Sequence, residues 1–127
     1  MCGICGQFNF SRHEPVDPST IRRMTQTMVH RGPDDEGYFI SGPLGLGFRR
    51  LSIIDLSAAA NQPMIAPDGA SWLVFNGEIY GIRGLRAELE RRGHAFRTES
   101  DTEVVLNAYL EWGEPFVDRF DGMFAIA

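Results

Sequence analysis

Met1-Cys2-Gly3-Ile4-Cys5-Gly6-Gln7-Phe8-Asn9-Phe10 opens the chain, and the reading starts from two features of this stretch, a strand and the cysteine that precedes it. Residues 3–10 read as a first β-strand, and they set Cys2 immediately before it. A cysteine directly after the initiator methionine has a side chain small enough to permit methionine removal. Cys2 then carries both a thiol and the chain's α-amine. A thiol is a weak nucleophile until it loses its proton. An amine whose unperturbed pKa is about 8 can take that proton from a few ångströms away. Base and nucleophile then reside in one residue, and no separate His or Asp partner is required. Many chains begin Met-Cys by chance, so the reading depends on the rest of the sequence.

Working outward, Asp17 followed by Pro18 reads as an N-cap with proline at the first helical position. Ile21, Met24 and Met28 recur at helical spacing, as core packing, up to about His30. There Arg31-Gly32-Pro33-Asp34-Asp35 stops the helix, with Asp34 and Asp35 either turn formers or shapers of an active-site turn. Strands are expected at 37–41, 44–49 and 51–54, and another at 71–75 after a polar, proline-containing loop. A helix carrying Ile82, Leu85 and Leu89 closes at Gly93, and 95–97 reads as a short strand. Ser100-Asp101-Thr102-Glu103 has the pattern of a capping box, leading into a helix with Val104, Val105, Ala108 and Tyr109 that ends near Gly113. Residues 123–127 read as a strand that the end of the chain interrupts, which suggests a C-terminally truncated domain.

The bulk properties bound the function classes. A chain of 127 residues, 43% hydrophobic and 11% aromatic, suits one compact domain, and no linker or repeat marks an internal boundary. The net charge of −5, with basic residues scattered among acidic ones, argues against a nucleic-acid partner. No apolar stretch is long enough to span a membrane and no secretory signal is visible, so a cytoplasmic location is expected. Cys2 and Cys5 are too few and too close to staple a secreted scaffold, which fits a reducing compartment. Their spacing suits a redox dithiol or half a zinc site. No second cysteine pair accompanies them, however, and His13, His30 and His94 lack metal-ligand spacing, so no metal is expected. Cys5 reads as a strand residue.

Cys2-Gly3-Ile4-Cys5-Gly6 resembles the opening of the class II glutamine amidotransferases, which are N-terminal-nucleophile hydrolases. Further motifs come in order: Arg31-Gly32-Pro33-Asp34-Asp35-Glu36-Gly37, Arg50-Leu51-Ser52-Ile53-Ile54-Asp55, Asn61-Gln62-Pro63-Met64, Phe75-Asn76-Gly77-Glu78-Ile79-Tyr80 and Ser100-Asp101-Thr102-Glu103. Together they are similar to the glutamine-hydrolysing asparagine synthetase branch. The resemblance implies an α+β fold of layered, mostly antiparallel sheets flanked by helices. It also implies hydrolysis of glutamine to glutamate and ammonia through a Cys2 thioester.

The same resemblance assigns roles, each beside a plainer alternative. Arg50 matches the clamp on the glutamine α-carboxylate, a task suited to a planar bidentate guanidinium; otherwise it is a strand-end arginine paired with an acid. Asp101 matches the residue that holds the α-ammonium; it also reads as a helix-start carboxylate serving the macrodipole. Asn76 and Gly77 match the oxyanion hole; otherwise Asn-Gly is a tight turn. Glu78 and the backbone of Leu51, Ser52, Ile53 and Ile54 match the lining of the glutamine site. Arg49 reads as a solvated strand charge.

No cofactor is implied for the glutaminase step. ATP and Mg²⁺ belong to a C-terminal synthetase domain of the same polypeptide, absent from these residues, that receives the ammonia. The acceptor carboxylate, aspartate or another, stays open. Unpaired strand edges of a shortened sheet also permit a homodimer. The rival readings are a catalytically silent binding or regulatory domain of the same fold, and a redox or metal module built on Cys2 and Cys5.

Overall fold

In the computed structural model, which describes residues 2–53 and 56–127, antiparallel strands and helices share the chain in an α+β arrangement. Two compact units form, Met1–Ile53 with Asn61–Pro63, and Ile54–Ala60 with Met64–Ala127.

The first unit is built on β1 (Gly3–Phe8), α1 (Pro18–Gln26), β2 (Asp35–Ser41) and β3 (Leu44–Arg50). Its sheet has the order β1-β3-β2, both pairings antiparallel, with Gly3 opposite Arg49 and Asp35 opposite Arg50. The central strand β3 alternates glycine with larger residues, and the glycines face α1. A Cβ on Gly45 would lie 2.7 Å from Ile21 and 2.9 Å from Val16; one on Gly47 would lie 2.8 Å from the Cys5 sulfur. Glycine at both positions lets the helix approach the sheet closely enough to bury Ile21 and Thr25 completely. Asp17 caps α1 as expected, accepting from the Ser19 N–H at 2.9 Å, with Pro18 at the first position.

The second unit contains β4 (Met64–Ile65), β5 (Trp72–Leu73), β6 (Phe75–Ile79), α2 (Ile82–Arg91), α3 (Asp101–Trp112) and β7 (Gly122–Ile126). β4 pairs with β5 and β6 with β7, each antiparallel. Leu73, Phe75, Ile79, Leu89, Val104, Val105, Leu106, Ala108 and Phe116 form one apolar cluster. Beside it, Tyr109, Phe116, Phe120 and Phe124 stack edge to face at centroid spacings of 5.6, 5.3 and 5.6 Å. α2 closes at Gly93, whose φ of 99° is one that L side chains rarely adopt. Among the described residues, no helix is long and apolar enough to cross a membrane.

Several expectations need correction. β1 stops at Phe8, because the chain bends there: the Asn9 N–H donates to Pro43 O at 2.8 Å, and Phe10 stands 71% exposed. α1 stops at Gln26; Met28 and Val29 bond three residues back, tightening the chain into turns up to His30. Leu51 and Ser52 leave the ladder instead of forming a strand, their N–H groups going to the Cys2 sulfur and the Asp34 carboxylate. Ile53 is 72% exposed, and Ile54 lies outside the described residues.

The strand expected at 71–75 is split. Val74 exchanges hydrogen bonds with Ala127, and the ladder runs on through Asn76 and Gly77, which are therefore not a turn. Residues 95–97 are not a strand either, since the Glu103 carboxylate collects this segment. It accepts from Arg97 N at 3.0 Å, Thr98 N at 2.7 Å and the Thr98 hydroxyl at 2.7 Å. Only half of the capping box forms as expected: Ser100 Oγ accepts from the Glu103 N–H at 3.3 Å, while Ser100 N–H donates to Thr98 Oγ1 at 3.2 Å.

Candidate active site

In the first unit, Cys2 sits one residue before the Gly3–Arg49 pairing, so its backbone is tied to the end of a rigid ladder. The Leu51 N–H donates to Cys2 Sγ across 3.4 Å, and Leu51 O lies 3.7 Å from the same sulfur. The sulfur is thus held against the Leu51 peptide, accepting from its N–H and turned toward its carbonyl. Arg31 Nε donates to Cys2 O at 3.2 Å, fixing the residue from its other side.

The turn expected at Arg31 to Asp35 carries this geometry. Asp34 N–H donates to Arg50 O at 3.0 Å, and Asp34 Oδ2 accepts from the Ser52 N–H at 2.7 Å. The turn aspartate thus directs the course of the segment leaving β3, which places Leu51 against the thiol. Arg49 is no solvated charge. It is 7% exposed, donates through Nε to Gly32 O at 2.8 Å, and pairs with Glu36 Oε2 at 2.7 Å.

Arg50 ends β3 and is also 7% exposed. Its Nη1 donates to Asn61 Oδ1, and Asn61 Nδ2 donates in turn to Asp35 Oδ2 at 2.5 Å. In the sequence Asn61 belongs to a family motif but has no role assigned to it, and Asp35 reads as a turn former or a shaper of an active-site turn. Asp35 lies directly across the ladder from Arg50, but only tertiary folding brings Asn61 to them.

In the second unit, Asn76, Gly77 and Glu78 occupy consecutive positions of β6, opposite Ala125, Phe124 and Met123. A Cβ on Gly77 would lie 2.5 Å from Met123 O and 2.6 Å from Phe124 Cα, so glycine is what lets β7 pair so closely here. Asp101 opens α3 in the first turn, as expected. Burial, and then the negative charge of Glu78, push its carboxyl above the ordinary aspartate range. A half-buried carboxylate facing a second acid is a site that favours a cation. Cys5 is a β1 residue whose sulfur lies 3.4 Å from Thr25 Oγ1. Among the described residues, no three His, Cys, Asp or Glu side chains gather as a metal-binding group.

A glutamine amidotransferase domain family matches residues 1–127. The chain belongs to that family. Within it, this amidotransferase domain is 46% identical to asparagine synthetase [glutamine-hydrolyzing] 1 of Bacillus subtilis (strain 168), over 98% of the chain and 20% of that relative. It is 40% identical to asparagine synthetase B [glutamine-hydrolyzing] of Escherichia coli (strain K12), over 100% of the chain and 23% of the relative. Against the root asparagine synthetase [glutamine-hydrolyzing] of Pisum sativum the identity is 38%, over 98% of the chain and 21% of the relative. This amidotransferase domain thus spans about a fifth of the length of these relatives.

Proposed function

We propose that this domain hydrolyses the side-chain amide of glutamine, with Cys2 as an N-terminal nucleophile. The observation that carries the reading is the family match over residues 1–127, together with a thiol at position 2 that receives the Leu51 N–H. Removal of Met1 frees the α-amine, which takes the Cys2 proton; the thiolate attacks the glutamine δ-carbon. Asn76 and Gly77 stabilise the oxyanion of the tetrahedral intermediate. The amine returns its proton to departing ammonia, and water then cleaves the γ-glutamyl thioester to glutamate.

Substrate selection comes from charge. Arg50 receives the α-carboxylate bidentately, and Asp101 with Glu78 receives the α-ammonium, which relieves the repulsion between the two acids. The backbone of Leu51 to Ile53 lines the site. The ammonia passes to a synthetase domain of the same polypeptide, which amidates an acceptor carboxylate with ATP and Mg²⁺. In this proposal ATP and Mg²⁺ serve the synthetase reaction alone.

Intact-mass analysis of the full chain, before and after exposure to a diazoketone analogue of glutamine, tests this. Loss of Met1 and a single adduct mapped to Cys2 are expected. Retention of Met1, or labelling at Cys5, would overturn the mechanism and favour a silent domain.

A further inference from the structure

We propose that Asn61 and Asp35 are positioning residues that aim Arg50 at the α-carboxylate of glutamine. This rests on Arg50 being the carboxylate clamp of the proposed glutaminase. Adjacent residues of β3 treat their charges differently. Arg49 and Glu36 are ladder partners and meet directly, Nη1 to Oε2 at 2.7 Å. Arg50 and Asp35 are the next partners along, and they are joined through the Asn61 amide.

The orientation of that amide is dictated by charge. Its oxygen must face the guanidinium and its NH₂ the carboxylate, since the reverse sets donor against donor and acceptor against acceptor. Asp35 therefore locks the Asn61 oxygen toward Arg50. A neutral amide restrains the guanidinium without adding a negative charge of its own, whereas a carboxylate in the same place would compete with the substrate's.

The relay is anchored independently of Arg50. Residues 61–63 lie hard against β2, where a Cβ on Gly37 would come 2.9 Å from Gln62 C and 3.1 Å from Pro63 Cδ. Asn61 is thus delivered by a backbone contact that only glycine permits, while Asp35 is held by strand register. Neither depends on substrate being present.

Steady-state glutaminase kinetics on the full chain decide the matter. Asn61→Ala and Asp35→Ala should each raise KM for glutamine by about three- to tenfold with kcat retained, as expected for lost orientation of a charged hydrogen bond. The double variant should be no worse than either single one, because both break one relay. Asp35→Asn keeps an acceptor for the Asn61 NH₂ and should restore KM to within about twofold of the parent. It is also the variant least apt to disturb folding. A fall in kcat with KM unchanged, additive effects, or no rescue by Asp35→Asn would overturn the relay. Arg50→Ala, run in parallel, separates the two levels. If it leaves KM unchanged, the clamp assignment fails; if it raises KM while Asn61→Ala and Asp35→Ala do not, the clamp stands and the relay fails.

Discussion

Val16, Ile21, Leu46 and Phe48 are the buried hydrocarbon of the first unit, and they share its interior with Thr25, Arg49, Arg50 and Gln62. The second unit buries Leu73, Val74, Phe75, Ile79, Leu89, Val104, Val105, Leu106 and Phe116. Its buried carboxylate, Glu103, is met by backbone N–H groups and a hydroxyl of a neighbouring loop. The first unit therefore fixes cations by hydrogen-bond geometry, and the second fixes shape by apolar packing. Interior guanidiniums are costly unless their donors are directed, so the side chains around Arg49 and Arg50 are held in defined orientations.

The sharpest way to break this contrast is to remove hydrocarbon from the second unit. Leu89→Ala, at a fully buried position, should lower stability by about 2–5 kcal/mol in chemical denaturation, with kcat for glutamine little changed. A cost below about 1 kcal/mol would mean that the cluster is not what holds this unit together. Asn76→Ala sharpens the contrast from the other side. It removes a proposed oxyanion donor from a strand backed by the same cluster, so kcat should fall about a hundredfold to a thousandfold while the melting temperature hardly moves.

In the first unit, Arg49→Met keeps side-chain volume but removes the guanidinium from Gly32 O and from Glu36, which keeps only the Gln26 amide, and it should cost about 1–3 kcal/mol. A stabilising outcome would show that the buried pair serves specificity alone. The smallest effect is expected at Asp101. Its carboxyl is raised in the folded chain, so ionised Asp101 opposes folding. That penalty is absent below the ordinary aspartate value of 3.8, accrues as pH rises through the raised value, and persists above it. Asp101→Asn should therefore raise the melting temperature slightly at pH 7, net of what a first-turn carboxylate gives the helix dipole, and the gain should vanish in acid.

Local signals placed much of the fold correctly. Asp17-Pro18 marked the start of α1, Gly93 the end of α2, and Ser100 the start of α3, because caps act within a few residues. The misplacements were tertiary. Nothing near Leu51 indicates that its N–H will face a sulfur, and nothing near residues 95–97 indicates that Glu103 will take their donors. Asn76-Gly77 has the composition of a turn, but pairing with Ala125 and Phe124 keeps it extended. The candidate site divides similarly. The motifs around Cys2, Arg50 and Asp101 marked them as candidates, whereas the link from Asn61 to Arg50 and Asp35 became visible only from what folding set beside it.

The alternation of glycine along β3 has a practical consequence for altering this domain. Any methyl added at Gly45 or Gly47 would act as a wedge between helix and sheet. It would tilt the strand that ends in Arg49 and Arg50, moving both guanidiniums without touching either. The helix-facing side of that strand is therefore closed to variation.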